Sequence, residues 1–146
     1  PRSTPLYSSA ASDVYKRQVE ECANLVRPYS ALYIGGMGSR DKNFYNQLAT
    51  RMGYEDAAIE IQERFMAKDY AGAAAAVPME FIDATSLIGP PERIAKRLPA
   101  YAEAGVTNLS VASFAGSLKE RVGTLHVMKE AYKSSGLGDL DANLSG

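Results

Sequence analysis

Only one stretch of this chain alternates in the manner of a buried β-strand, and that scarcity limits the possible folds more than any other feature. The stretch is Val106–Phe114 within GPPERIAKRLPAYAEAGVTNLSVASF, with Leu109 and Val111 as its expected core positions. Gly89 closes the preceding element, and Pro90 or Pro91 suits the first turn of a helix. Ile94, Leu98 and Tyr101 form that helix's apolar face, Pro99 lies inside it, and Gly105 stops it. A final helix is expected from Leu118 to about Tyr132. Helix, glycine, strand, loop and helix is the order of parallel α/β proteins. A parallel sheet needs several strands covered on both faces. Apart from a small extended run at Thr85–Ile88, the chain offers nothing to pair with Val106–Phe114. A closed α/β barrel takes about 250 residues, and this chain has 146. The pattern reads as α/β, helix-rich and incomplete.

Upstream, apolar residues recur at helical spacing. Cys22, Leu25, Val26, Tyr29, Leu32 and Tyr33 define one expected face, interrupted at Pro28 and stopped by Gly35, Gly36 and Gly38. DKNFYNQLATRMG reads as a helix with Phe44, Leu48 and Met52 on one side. YEDAAIEIQERFMAKD reads as another, with Ala58, Ile61, Phe65 and Met66 inward, and YAGAAAAV as a short one stopped before Pro78. Residues 1–18 show no helical or strand period. Asp13–Gln18 resembles the in-frame translation of a sequencing-library adapter, so residues 1–18 are expected to be a non-native or disordered leader, with the natural sequence starting near Val19. The alternative is a natural disordered arm. The polar tail, residues 134–146, is expected to be flexible.

Composition excludes several function classes. Sixteen basic and seventeen acidic residues argue against an electrostatic nucleic-acid binder. One cysteine, Cys22, and one histidine, His126, leave no basis for a disulfide framework or the usual metal sites, so no metal is expected. No apolar run approaches the ~20 residues of a membrane span. A cytoplasmic protein without membrane or nucleic-acid partners is the expectation, and homo-oligomers are compatible with it.

The run RPYSALYIGGMGSRDKNFYN poses the main chemical question. Gly35, Gly36 and Gly38 can bring backbone amides to a phosphate, or they can be a helix stop followed by a tight turn. No lysine–serine pair follows them and no strand clearly precedes them, so neither common nucleotide fingerprint is met. Arg40 can pair with an anion through a bidentate contact, or with Asp41 or Glu55. Ser110 and Ser113 lie near the end of the expected strand, where barrel chemistry gathers. An ordinary βα turn accounts for them equally well. His126 reads as an outer-helix residue and Cys22 as an apolar-face filler.

From RPYSALYIGGMGSRDKNFYNQLATRMGYEDAAIEIQERF, and from IDATSLIGPPERIAKRLPAYAEAGVTNLSV, the chain resembles the C-terminal part of the luciferase-like monooxygenase family. The likeness is greatest to its deazaflavin-dependent oxidoreductase branch and covers roughly residues 19–133. It implies the C-terminal part of a TIM (β/α)8 barrel. It also implies coenzyme F(420) or FMN as cofactor, a small-molecule substrate, and hydride transfer or oxygen activation. On that likeness Gly35, Gly36, Gly38, Arg40 and Ser113 border the cofactor, with Phe114 and Gly116 beside Ser113. Tyr33, Met37, Asn43 and Phe44 then line the substrate side. The early strands, which carry most of the cofactor pocket, are not in this sequence, so no catalytic residue is assigned and the chain alone is expected to be inactive. Two further readings stay open: a non-catalytic, self-associating α-rich fragment, and a small phosphate-binding module.

Overall fold

The computed structural model describes residues 6–138, with side chains described from Arg17 onward. Those residues form seven helices and their connections, with no strand among them: α1 (Leu6–Gly36), α2 (Phe44–Arg51), α3 (Glu55–Met66), α4 (Tyr70–Ala75), α5 (Met79–Thr85), α6 (Pro91–Glu103) and α7 (Leu118–Ser134). They divide into two compact units, one of Glu20–Ser86 and one containing Val19 and the chain from Leu87.

Helix α1 starts earlier than the sequence pattern suggests, at Leu6. From Leu6 to Arg27 the chain has neither glycine nor proline, so a helix nucleated further along can propagate outward through it. Residues 6–18 therefore have helical backbone, although their apolar residues carry no clear period. Pro28 is accommodated inside the helix.

In the unit Glu20–Ser86, small residues make the closest contacts. Ala23, Ala31, Ala49, Ala58 and Ala73 are all essentially sealed, with Ile34, Ile61, Val77 and Ile82 between them. The expected apolar face of α1 is corrected here. Leu25, Tyr29 and Leu32 are exposed, and Ala23, Ser30, Ala31 and Ile34 are buried instead. On α2 it is Ala49 that is buried, while Phe44 and Met52 are exposed and Leu48 is half-buried. On α3, Ala58 and Ile61 face inward as expected, Phe65 is half-buried, and Met66 is exposed. Alanine and glycine let helix backbones approach closely. The large side chains then have no room between the helices and stand at the rim.

Local signals set the boundaries. Glu55 and Asp56 occupy the first turn of α3 and Arg64 its last, each matching the helix dipole. Lys68 takes φ 64°, a left-handed turn after α3. Asp69 then caps α4 by accepting from the Gly72 amide at 2.9 Å. The same carboxylate pairs with Arg64 at 3.0 Å, and Arg64 also pairs with Glu60 at 2.8 Å. These amide and guanidinium contacts hold the Asp69 carboxyl below the usual carboxylate range. Arg27 donates to the Val77 carbonyl, tying α1 to the end of the α4 segment.

In the other unit, Ile94, Ala95 and Leu98 of α6 pack on Ala131 of α7, joined by Leu87, Val127, Met128 and Leu137. The periodicity of α6 is borne out, and Leu137 carries the packing past the end of α7. The expected flexibility of residues 134–146 concerns mainly positions outside the described residues. Gly89, at φ 104°, turns the chain into α6, whose carbonyl neighbour Ile88 accepts from Arg93 at 3.0 Å. Between the helices, the expected strand is not formed. Val106, Leu109, Val111 and Phe114 are each 40–41% exposed, and none of residues 106–115 belongs to a strand. The expected run at Thr85–Ile88 is not a strand either, because Thr85 ends α5 and only a short extended link follows. Strand pattern needs a ladder partner to become strand, and no described residue supplies one.

Candidate functional site

The richest surface of the unit Glu20–Ser86 lies where α1 ends and α2 begins. Four aromatic rings run in contact there. Tyr29 and Tyr33 have centroids 4.6 Å apart with planes at 43°, and Tyr33 meets Tyr45 edge-on at 4.7 Å. Phe44 meets Tyr45 edge-on at 5.4 Å, and the Arg51 guanidinium carbon lies 5.8 Å from the Phe44 centroid. The Tyr29 hydroxyl shares a hydrogen bond with that of Tyr33. This bond, aided by partial desolvation and the neighbouring phenols, pushes the Tyr29 pKa above the ordinary tyrosine range. Leu32 and Met37 are exposed on the same unit.

Beneath the rings is a set of buried amides. Asn43, 1% exposed, is the N-cap of α2: its Oδ1 accepts from the Asn46 amide at 3.0 Å. Its Nδ2 donates to the Tyr33 and Ile34 carbonyls at 3.0 and 2.9 Å, satisfying the open end of α1. Asn46 Nδ2 donates to Ile34 at 3.2 Å and to Ala58 at 2.8 Å, so one side chain links α1, α2 and α3. Gln62 of α3 donates to the Arg40 carbonyl at 3.2 Å and holds the intervening loop.

Of the two readings of the glycine run, this arrangement favours the helix stop. Gly35 and Gly36 are the last two residues of α1. A Cβ on Gly35 would come within 2.6 Å of Phe65 Cβ, and one on Gly36 would strike the Phe65 ring. Both glycines therefore make room for an aromatic side chain. Gly38 has φ 134°, and a Cβ there would lie 2.8 Å from the Lys42 carbonyl, so it serves the turn. A helix C-terminus presents carbonyls and the negative end of the dipole, which repels a phosphate. The glycine run does not fit a phosphate cradle.

The other expected residues separate into groups. Tyr33 and Phe44 belong to the ring cluster, and Met37 lies exposed in the loop after α1. Asn43 is fully engaged in holding backbone. The Arg40 side chain is exposed, and only its carbonyl takes part in the amide network. Ser113 belongs to the other unit, where its hydroxyl meets that of Thr124 at 3.0 Å. Ser110 and His126 are exposed and Cys22 is half-buried. Tyr29 was read from the sequence only as part of a helix face, and Tyr45, Asn46, Arg51 and Gln62 were not singled out. The N-x-x-N spacing of Asn43 and Asn46 was the available signal, since an asparagine cap needs its acceptor three residues from the amide it receives. Among the described residues no group of histidine, cysteine, aspartate and glutamate could hold a metal, and no helix is long and apolar enough to cross a membrane.

Comparison with known proteins identifies the family. The chain has no significant match among solved structures. It is 33% identical over 95 residues to a Mycobacterium tuberculosis protein whose name assigns it provisionally to the coenzyme F(420)-dependent oxidoreductases. That alignment covers 65% of this chain and 27% of the relative, so the chain spans about a quarter of the curated protein it matches. A family match extends over residues 4–108, from positions the sequence pattern set apart as leader, through the ring cluster and α6, to the start of the segment between α6 and α7. On that span the chain belongs to the luciferase-like monooxygenase family.

Proposed function

We propose that the chain is part of a luciferase-like oxidoreductase that works with coenzyme F(420), FMN being the alternative, on a small organic substrate in the cytoplasm. The observation that carries this reading is the family match over residues 4–108, supported by likeness to a relative named for F(420)-dependent oxidation and reduction. When bound, the cofactor ring would supply the hydride or oxygen chemistry, while the protein supplies binding, orientation and exclusion of water. This chain's own contribution is helical: it is the C-terminal portion of a (β/α)8 barrel. Tyr33, Met37 and Phe44 face the substrate side, and the Arg40 guanidinium is available to an anionic group. Asn43 and Asn46 act indirectly by fixing the α1–α2 corner that carries those side chains. The glycine run is not used for phosphate, and the reactive chamber is furnished by polypeptide beyond this sequence.

Fluorescence titration tests the assignment. The 146-residue chain is expected to bind neither F(420) nor FMN, and a full-length relative to bind one of them. Tight stoichiometric binding by this chain would refute its incompleteness. Failure of the full-length protein to bind either cofactor would refute the oxidoreductase assignment. A second reading, self-association of the chain as it stands, is favoured by the exposed apolar side chains of Val106, Leu109 and Val111.

A further inference from the structure

Tyr29 and Tyr33 stand one turn apart on α1, so their side chains share one face of the helix. Long helical side chains lean toward the N-terminus, which brings the Tyr33 ring back onto that of Tyr29. The centroids are 4.6 Å apart, the planes meet at 43°, and the two hydroxyls share a hydrogen bond. Phenols bonded through their oxygens bring the ring carbons beside those oxygens toward each other. These ortho carbons carry much of the unpaired electron in a phenoxyl radical. They are also the atoms joined in an ortho-linked biphenol, whose hydroxyls keep the same mutual hydrogen bond. The corner holds the pair in place: the Tyr33 carbonyl accepts from Asn43 Nδ2 at 3.0 Å, and the Tyr45 ring stands 4.7 Å from that of Tyr33. Ser30 and Ala31 are buried and Tyr29 is exposed, so the pair is clear of the packed side of α1 and open to a small oxidant.

We propose that Tyr29 and Tyr33 form an oxidative cross-linking site, at which a one-electron oxidant of the class of a haem peroxidase with hydrogen peroxide couples them into dityrosine. Each phenol gives up one electron and its hydroxyl proton. The two radicals combine at ortho carbons to form one carbon–carbon bond, and the hydrogens on those carbons pass to the oxygens, restoring both hydroxyls. One peroxide takes up the two electrons and two protons and leaves as two waters. The product is a covalent staple across one turn of α1, just ahead of the corner where α2 begins. A contact already held in place makes coupling within the chain faster than coupling between chains. The 43° between the two planes suits a biphenol, whose rings settle at an intermediate twist, and the 89° between Tyr33 and Tyr45 does not. Tyr33 therefore couples along its own helix and not across to α2.

Treating the dilute full chain with a haem peroxidase and hydrogen peroxide tests the proposal, with dityrosine read by its blue fluorescence and by mass spectrometry after trypsin. Tryptic cleavage leaves Tyr29 and Tyr33 together in peptide 18–40, because Arg27 precedes a proline, and places Tyr45 in peptide 43–51. Peptide 18–40 is expected to become lighter by two hydrogen atoms, with no fragment ions arising between positions 29 and 33. Tyr29→Phe and Tyr33→Phe should each lower the fluorescence about tenfold, and Tyr45→Phe should leave it nearly unchanged. Phenylalanine keeps each ring and removes only the hydroxyl, and the wild-type peptide map decides the matter even if a variant fails to fold. A link between peptides 18–40 and 43–51 in place of the internal one overturns the proposal. So does fluorescence undiminished in Tyr29→Phe, dityrosine confined to cross-linked dimers, or its absence from the wild-type chain under conditions that couple free tyrosine. No flavin or deazaflavin is present, so the outcome is independent of the oxidoreductase assignment.

Discussion

The α1–α2 corner and the segment between α6 and α7 are both connections following a helix that stops at glycine, yet they treat their backbone in opposite ways. At the first, three side-chain amides reach into the turn: Asn43 and Asn46 satisfy the end of α1, and Gln62 holds the loop at Arg40. At the second, the helix ends are capped and the six residues from Thr107 to Ala112 are left to solvent. A connection can be finished from within by polar side chains, or left for a neighbour to finish. The difference follows from which residues are supplied: asparagine and glutamine in one case, β-branched and apolar residues in the other.

Three measurements would break or sharpen this contrast. The largest effect is expected from Asn43→Ala, which removes a cap and takes one donor from each of the Tyr33 and Ile34 carbonyls, leaving Ile34 with Asn46 alone. We expect a loss of about 3 kcal/mol in denaturant unfolding, with amide exchange accelerated at the α1–α2 corner. A cost below that of an ordinary surface substitution would show that the corner does not depend on its amides. Ser117→Ala comes next, at about 1 kcal/mol, because the capping box is solvent-exposed and water can replace the lost bond. If it cost as much as Asn43→Ala, the two connections would be equally dependent on side-chain caps. The smallest effect is electrostatic. Tyr29 has a raised pKa in the folded protein, so the stabilisation from its bond to Tyr33 is complete below the ordinary tyrosine range and is lost as pH rises through the raised value. Tyrosinate absorbance should show Tyr29 titrating above the ordinary tyrosine range, and Tyr33→Phe should bring it back toward that range. An unchanged titration curve in that variant would remove the hydroxyl pair from the ring cluster.

Much of the helical skeleton was legible in the sequence. Gly53, Gly89 and Gly105 all take positive φ at the ends or beginnings of the helices they were expected to bound. Pro91 opens α6 from its first turn, and Ile94 and Leu98 are buried as their spacing indicates. Which face of α1 and α2 turns inward was not legible, because spacing favours large apolar side chains and takes no account of alanine. Ala23 and Ala31 are sealed while Leu25 and Leu32 are not. The strand failed for a different reason: Val106–Phe114 has the right residues, but pairing is a property of two segments and the pattern describes only one. At the candidate site, the contact of Tyr33 and Phe44 with Tyr29 and Tyr45 was not legible, since ring contact depends on how α1 meets α2. Asn43 was expected to face a substrate, and it faces backbone carbonyls instead.

Phe65 occupies the volume that side chains at positions 35 and 36 would need. The two glycines are thus the imprint of a ring, a mould rather than a hand held out to a ligand. Positions 35, 36 and 65 should drift together over evolution. A bulkier residue at either of the first two becomes admissible only once the third has shrunk.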